Sequence, residues 1–199
     1  MQSGALRVAS CSFPRMGAAA GGLAACLQGG GDRVLHVGCG GGSLTKMVAS
    51  QGLRVAAVDA DVAAAANRGL LCCAYGEGTA PLAAGSLRPA AGMGPFDALL
   101  VYTPDAAAGS SGSGSGGDVL TLERCLSSEA LAEAASVAAP GGALCISAPS
   151  ASGMGRGGQQ EAEAAVAALL AAQGGWRLEA CAVISEGEGT RVELTARAV

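Results

Sequence analysis

The sequence is poor in aromatic side chains, which number five in 199 residues: Phe13, Tyr75, Phe96, Tyr102 and Trp176. Proteins that bind single-stranded nucleic acid stack bases on aromatic side chains, and five scattered rings provide no such platform. Lysine is scarcer still, since Lys46 is the only one, and the arginines do not cluster. With a net charge of −4, the chain has no basic surface for a phosphate backbone or an anionic membrane. Neither nucleic acid nor membrane is therefore an expected partner.

The sequence also lacks a continuous apolar run of about 20 residues, so it predicts no membrane span. Half of the residues are hydrophobic, but many are alanine, and glycine adds 33 more. A chain of 199 residues with such small side chains is expected to form one closely packed domain. We place this domain at 17–199, after an extension at 1–16 that is either disordered or part of a transit segment.

No acidic residue precedes Asp32, and the first 31 residues contain two arginines and several serines. This bias is typical of an organellar transit segment. The alanine-rich stretch 17–28 is also compatible with a first packed helix. The expected location is the cytoplasm, with a plastid or mitochondrion as the alternative.

Eight cysteines are present, yet no C-x-x-C motif occurs, and a single histidine cannot complete a Cys/His zinc cage. No metal site is therefore predicted. Cys39 lies in a glycine turn, while Cys145 and Cys181 fall in predicted strands, which favours small buried thiols in a reducing compartment. The neighbours Cys72 and Cys73 keep a redox or metal pair open as an alternative.

The most informative segment is 34–44, with the sequence VLHVGCGGGSL. A short apolar run ends at Gly38, three further glycines follow, and a helical pattern begins at Ser43. A glycine turn between a strand and a helix lets a ligand approach bare backbone. A second apolar run ends in Asp59, about 20 positions after Gly38, where nucleotide sites of α/β proteins receive ribose hydroxyls. The spacing predicts a site for a nucleoside-containing ligand.

From residue 32 onward, apolar runs alternate with helical patterns. The fold class predicted is α/β: a three-layer α/β/α sandwich with a Rossmann-like, seven-stranded, mostly parallel sheet and a C-terminal antiparallel hairpin. The segment 106–118, which contains SSGSGSGG, is predicted to be a flexible loop. The predicted strands are 33–37, 54–58, 70–74, 96–101, 143–147, 176–184 and 190–196, and the predicted helices are 43–50, 61–69, 128–139 and 159–173.

These motifs resemble those of class I S-adenosylmethionine-dependent methyltransferases, over most of 17–199. The turn GCGGGSL, the acid ending the second strand, the acid of YGEG and the segment PGGALCIS follow in the order of that family. The resemblance implies S-adenosyl-L-methionine as methyl donor. It also implies a cofactor site formed by Gly38, Cys39, Gly40 and Gly42 at the turn, Asp59 and Ala60 at the ribose, and Glu77 and Gly78 at the adenine.

Within this family, the strings GGGSL and VDAD are similar to the spermidine-synthase-like branch. The most similar group we identify is the C-terminal domain of the dual-domain lysine methyltransferases that modify translation elongation factor. This resemblance implies a protein substrate, methylated on a lysine or a terminal amine.

The chain departs from the family pattern at two positions. His36 stands where the family has an acid before the turn. A neutral imidazole could accept a hydrogen bond from the cofactor, or the histidine could be buried and satisfied by backbone. After the fourth strand, where aminopropyltransferases have an aspartate, the chain reads Val101-Tyr102-Thr103-Pro104, with Asp105 following.

Tyr102 and Asp105 are therefore the candidate catalytic residues, and Tyr102 is also expected beside the cofactor. Asp97 lies at the opposite end of the fourth strand and is expected to be structural. The leading hypothesis is a methyltransferase whose acceptor the sequence leaves open. A non-catalytic protein with the same fold and an aminopropyltransferase are the two alternatives.

Overall fold

A computed structural model describes residues 23, 27, 31–39, 42–59, 72–74, 82, 86–103, 120–186 and 189–199. The strands are β1 (Arg33–Val37), β2 (Arg54–Asp59), β3 (Cys72–Ala74), β4 (Phe96–Tyr102), β5 (Ala138–Pro149), β6 (Trp176–Glu186) and β7 (Gly189–Ala198). The helices are α1 (Ser43–Ala49), α2 (Arg88–Ala91), α3 (Leu122–Cys125), α4 (Ser128–Val137) and α5 (Gln159–Gln173).

The strands form one 7-stranded sheet in the order β3-β2-β1-β4-β5-β7-β6. Strands β1 to β5 pair in parallel, whereas β7 is antiparallel to both β5 and β6. The expected mixed sheet with an antiparallel C-terminal hairpin is confirmed. The chain winds outward from β1 to β3 and then returns to place β4 on the other side of β1. In open α/β sheets, ligands bind at the carboxyl ends of the strands where the winding direction reverses. The sheet order thus places the candidate site between β1 and β4.

Apolar side chains cover both faces of the sheet, because successive residues of a strand point to opposite sides. Leu35 and Val37 of β1 belong to a cluster that includes residues of α4 and α5. Val34 belongs to a second cluster that includes Leu44 and Val48 of α1. Helices therefore pack on both faces of the sheet, as the predicted α/β/α layering requires.

The predicted bounds of β1 and α5 are confirmed residue for residue. The largest difference concerns β5, which begins at Ala138 rather than at Ala143, so helix α4 ends at Val137. The predicted helix 128–139 and strand 143–147 leave the segment PGG between them, whereas the structure includes these three residues in β5. The β4–β5 register shifts between Phe96 and Ala98, and Gly141 has a φ of 71°. A glycine with left-handed backbone occurs both in turns and in irregular strands. The residue types alone therefore do not show which of the two this segment forms.

The predicted helix 61–69, the extension 1–16 and the loop 106–118 lie outside the described residues, as does most of 17–28. Helices α2 and α3 were not predicted, because four residues are too few to show a helical period. No helix in the described ranges is both long enough and apolar enough to cross a membrane.

The side chain of Asp97, at the start of β4, forms hydrogen bonds with the backbone at the start of β1. Its Oδ2 atom accepts hydrogen bonds from the backbone N–H groups of Asp32 and Arg33, each at 3.0 Å. This contact lies at the amino ends of the parallel strands, opposite the candidate site. The prediction that Asp97 is structural is confirmed.

Replacing Asp97 by alanine removes the acceptor of two partly buried N–H groups, so we expect Asp97→Ala to lower the free energy of unfolding by about 2 kcal/mol. Urea denaturation measures this change. The matched control is Asp32→Asn, which weakens an exposed ion pair with Arg54 and is expected to cost clearly less than Asp97→Ala, because solvent screens exposed charges. Equal losses in the two variants would contradict the structural role of Asp97.

Candidate functional site

The glycine turn leaves the carboxyl end of β1 and leads directly into α1. Gly38 has a φ of 72°, and its N–H donates to the carbonyl of Val58 at 2.9 Å. Gly42 has a φ of 74° and is the N-cap of α1, and its N–H donates to the carbonyl of Cys39 at 2.8 Å. Left-handed backbone is inexpensive only for glycine, so the turn itself requires glycine at both positions. Gly40, between them, lies outside the described residues.

Asp59 ends β2 at the same edge of the sheet. Val37 of β1 is in register with Val58 of β2, so Asp59 follows one residue later, beside the glycine turn. Its side chain is partly exposed. The structure therefore brings together the turn and the acid that the sequence assigned to one ligand. Ala60, Glu77 and Gly78, assigned to the same ligand, lie outside the described residues.

His36 is fully buried between β1 and α1. Its Nδ1 atom shares a hydrogen bond of 2.7 Å with Oγ1 of Thr45 in α1. Within the described residues, the interpretation of a histidine satisfied by backbone is wrong, because its hydrogen-bond partner is a side chain and the other ring nitrogen, Nε2, is buried with no partner there. Burial lowers the pKa of His36 to about 4, so the ring is neutral near pH 7. That His36 accepts a hydrogen bond from a cofactor stays a prediction, and Nε2 is the ring nitrogen that would accept it.

Tyr102 is the last residue of β4, next to the glycine turn in the sheet order. The guanidinium carbon of Arg191 lies 5.6 Å from the centroid of its ring. Arg191 is fully buried and donates to the carbonyls of Thr103, at 2.6 Å, and Ser147, at 3.0 Å. One side chain of β7 thus fixes the ends of β4 and β5. Asp105, the other candidate catalytic residue, lies outside the described residues.

Sequence reasoning missed Arg191, together with two residues connected to it. Arg191 also donates to Oγ of Ser147 at 3.2 Å, and that hydroxyl donates to Oε1 of Glu193 at 3.1 Å. Alternating charged and apolar residues in the segment TRVELTA are typical of a half-exposed strand. The pattern therefore gave no signal that one charged side chain is buried.

Glu123 of α3, also missed, holds the loop that follows β5. Its carboxylate accepts from the hydroxyls of Ser150 and Ser152, at 2.6 and 2.7 Å, and from the backbone N–H groups of Ala151 and Ser152, both at 3.0 Å. Burial raises the pKa of Glu123, but the hydrogen bonds from Ser150 and Ser152 outweigh it and lower the pKa to about 2. The loop at this edge is thereby fixed by an ionised carboxylate.

The four cysteines whose side chains the structure describes are free thiols. Cys39, Cys125 and Cys145 are buried, as small apolar side chains would be, and Cys181 is partly exposed. The side chains of Cys72 and Cys73 lie outside the description. In the part of the chain that is described, no three His, Cys, Asp or Glu side chains form a group that could hold a metal ion.

Several methyltransferases of solved structure have a similar fold. Over 94% of this chain and 83% of that chain, the magnesium protoporphyrin IX methyltransferase ChlM from Synechocystis PCC 6803, solved with bound SAH, has a TM-score of 0.58 at 18% identity. The N-methyltransferase NodS from Bradyrhizobium japonicum WM9 has a TM-score of 0.57 at 14% identity, covering 94% of this chain and 98% of its own. The fold is the class I methyltransferase fold.

TrmN from Thermus thermophilus has a TM-score of 0.51 at 17% identity over 88% of this chain. The present chain spans about half of TrmN, 47% of its length. No family model matches the sequence, and no curated protein matches it either. At these identities the similarity shows the fold, so the ligand and the reaction must be argued from the residues at the site.

The buried His36 predicts a specific pH dependence of stability. Because its pKa is about 4 in the folded chain and about 6.5 when unfolded, the unfolded state alone binds a proton between these values. The stabilisation is present above about pH 6.5 and is lost as the pH falls toward 4. We expect the free energy of unfolding to fall by about 2 kcal/mol from about pH 7 to about pH 5.

Urea denaturation at the two pH values measures the loss, and His36→Gln is the comparison because it cannot titrate. Carboxylates with lowered pKa values, such as Glu123, change the free energy of unfolding mainly below about pH 5. If His36→Gln shows the same loss as the unmodified protein, the buried neutral histidine is not its cause.

Proposed function

We propose that the protein is an S-adenosylmethionine-dependent methyltransferase. The observation that carries this proposal is the joint position of the Gly38–Gly42 turn and Asp59 at the point where the winding of a methyltransferase fold reverses. A ligand with a ribose and a charged amino-acid part matches this arrangement. The bound SAH of the ChlM structure is a ligand of this kind, in a protein of the same fold.

Each residue at the edge has a distinct proposed role toward the cofactor. The backbone at Gly38, Cys39 and Gly42 lines the amino-acid part, with Gly40 completing the turn. The carboxylate of Asp59 accepts hydrogen bonds from the ribose hydroxyls, a role for which an acid at a strand end is suited. The Nε2 atom of His36, two residues before Gly38, is assigned as an acceptor for the cofactor in place of the usual acid, since it has no partner among the described residues.

Three further residues complete the proposed cofactor site from the sequence resemblance. Ala60 adjoins the ribose, and Glu77 with Gly78 holds the adenine end. These assignments rest on the motifs VDAD and YGEG.

The cofactor supplies a methyl group that its sulfonium already activates, so the protein mainly has to align the acceptor. Tyr102 is placed for this task, because Arg191 holds its ring and the carbonyl that follows it in fixed positions. We assign Tyr102 the orientation of the acceptor, and Asp105 the removal of a proton where the acceptor carries one. The acceptor class we propose, a protein lysine or terminal amine, rests on the resemblance to the elongation-factor lysine methyltransferases.

One observation favours a second candidate function, a protein of this fold that binds the nucleoside without catalysis. The neutral, buried His36 replaces an acid and carries no charge to attract the cofactor's amine. ChlM and NodS are methyltransferases and give no support to the aminopropyltransferase alternative.

Isothermal titration with S-adenosylmethionine and with its demethylated product tests the cofactor site. We expect both to bind with a Kd below about 1 mM. Asp59→Asn is expected to weaken both at least about tenfold, since it removes a charged hydrogen-bond acceptor. The control is Asp32→Asn, an equivalent change at the opposite end of the same two strands, and it should leave the Kd unchanged.

Absence of binding by both ligands at millimolar concentration would contradict the proposal. Where binding is found, transfer of a tritiated methyl group into a cell lysate separates the two candidates. A labelled acceptor supports the methyltransferase, and the absence of any labelled species supports the non-catalytic protein.

A further inference from the structure

A second cavity, of about 180 Å³, lies on the face of the sheet over β5, β7 and β6. Its walls are largely apolar and are formed by small or aliphatic side chains such as Leu100, Ala180 and Ala182. Ser147, Thr195 and Glu193 supply the polar part of the lining. The cavity extends from Leu100 of β4 to β6, whereas the glycine turn follows β1, on the other side of β4 in the sheet.

Among the described residues that line this cavity, Glu193 is the one with a charged side chain. Its Oε1 atom accepts the hydroxyl of Ser147 at 3.1 Å. Its other oxygen, Oε2, has no hydrogen-bond partner in the described part of the chain. The residue is partly exposed, so this oxygen can meet a ligand that enters the cavity.

A cation, Arg191, is linked to Glu193 through Ser147. Its buried guanidinium donates to the hydroxyl of Ser147 at 3.2 Å, and that hydroxyl donates to Oε1 of Glu193. Because the guanidinium is buried and the carboxylate is partly exposed, a ligand in the cavity meets Oε2 of Glu193 among apolar walls. This combination fits a group with a cationic N–H donor on a short aliphatic chain, whereas a carboxylate or phosphate would be repelled.

The cavity has a defined position relative to the candidate catalytic residue. Tyr102 of β4, Ser147 of β5 and Glu193 of β7 are successive partners in one row across the sheet. Neighbouring strands are about 5 Å apart, so the backbones of Glu193 and Tyr102 are about 10 Å apart along this row. A group bound by Glu193 and an atom oriented by Tyr102 thus belong to different positions of the row, with Ser147 between them.

We propose that this cavity is a subsite for an alkylammonium group, bound by Glu193, that anchors the acceptor at a distance from its methylated atom. The anchoring role rests on the proposed function, whereas the binding of an alkylammonium group does not. Such remote contacts position the reacting atom without touching it. The substrate class that follows is an acceptor with a second, cationic nitrogen in addition to the atom methylated.

Ligand-observed NMR with n-butylammonium as the probe tests the subsite, with n-butanol and butyrate as probes of equal chain length. We expect n-butylammonium to bind at least five times more tightly than n-butanol, and butyrate not to bind. Glu193→Gln should weaken n-butylammonium at least fivefold. Ala182→Leu, which fills part of the cavity without changing charge, should do the same. The matched control Glu129→Gln, at an exposed position of helix α4, should have no effect.

Equal binding of n-butanol and n-butylammonium, or unchanged binding in both cavity variants, would overturn the subsite. Thermal melts of each variant establish that it is folded, and Ala182→Leu keeps the test decisive if Glu193→Gln does not fold. Titration of the same variants with S-adenosylmethionine distinguishes the two proposals. Loss of n-butylammonium with the cofactor still bound confirms a separate subsite, whereas failure of the cofactor alone to bind refutes only the proposed function.

Discussion

The parallel pairing of β1 with β2 on one side and β4 on the other is the constraint on which the site depends. A central strand hydrogen-bonded on both sides has one orientation and one register. The carboxyl end of β1 therefore has a fixed position between β2 and β4. From these two neighbours the sheet continues in opposite directions. Glycines in the left-handed conformation then turn the chain into α1 within a few residues. The strand order produces the cleft at this edge. The glycine turn and Asp59 supply the backbone groups and the carboxylate that line it.

Buried polar side chains concentrate at the same edge of the sheet. His36 with Thr45, and Thr103 with Ser147 and Arg191, account for five of the six buried polar or charged residues in the described ranges. Burying a polar group is costly unless it is paired, so such a concentration indicates that geometry at this edge is maintained for a purpose. The two groups flank β4 on either side, and Tyr102 stands at its end. The edge combines a rigid backbone with a few precisely held side chains, as alignment of two reactants requires.

Residue patterns were sufficient to predict much of this architecture, because each depends on local chemistry. The strand β1, the helix α5 and the closing hairpin follow from apolar periodicity and from glycines at their boundaries. The positions of Gly38 and Asp59 follow from spacing along the chain. Each of these features depends on residues within about 20 positions of one another, so the pattern of neighbouring residues is enough to predict it.

Other features depend on contacts between distant segments and left no local signal. Arg191 is 88 residues from Thr103, whose carbonyl it binds, and Glu123 is 28 residues from Ala151. In the sequence, each reads as an ordinary charged residue of a solvated face. The irregular start of β5 likewise arises from its pairing with β4. These residues become recognisable only when the sheet brings the segments together.

The most direct test of the account is a ¹H–¹⁵N NMR titration with S-adenosylhomocysteine, observed at both edges of the sheet. The account predicts that amide shifts appear at Gly38, Cys39, Asp59 and Tyr102, and that Asp97 and Gly141 at the opposite edge do not respond. Shifts confined to the opposite edge, or no shifts at millimolar ligand, would contradict the claim that the glycine turn and Asp59 form a cofactor site.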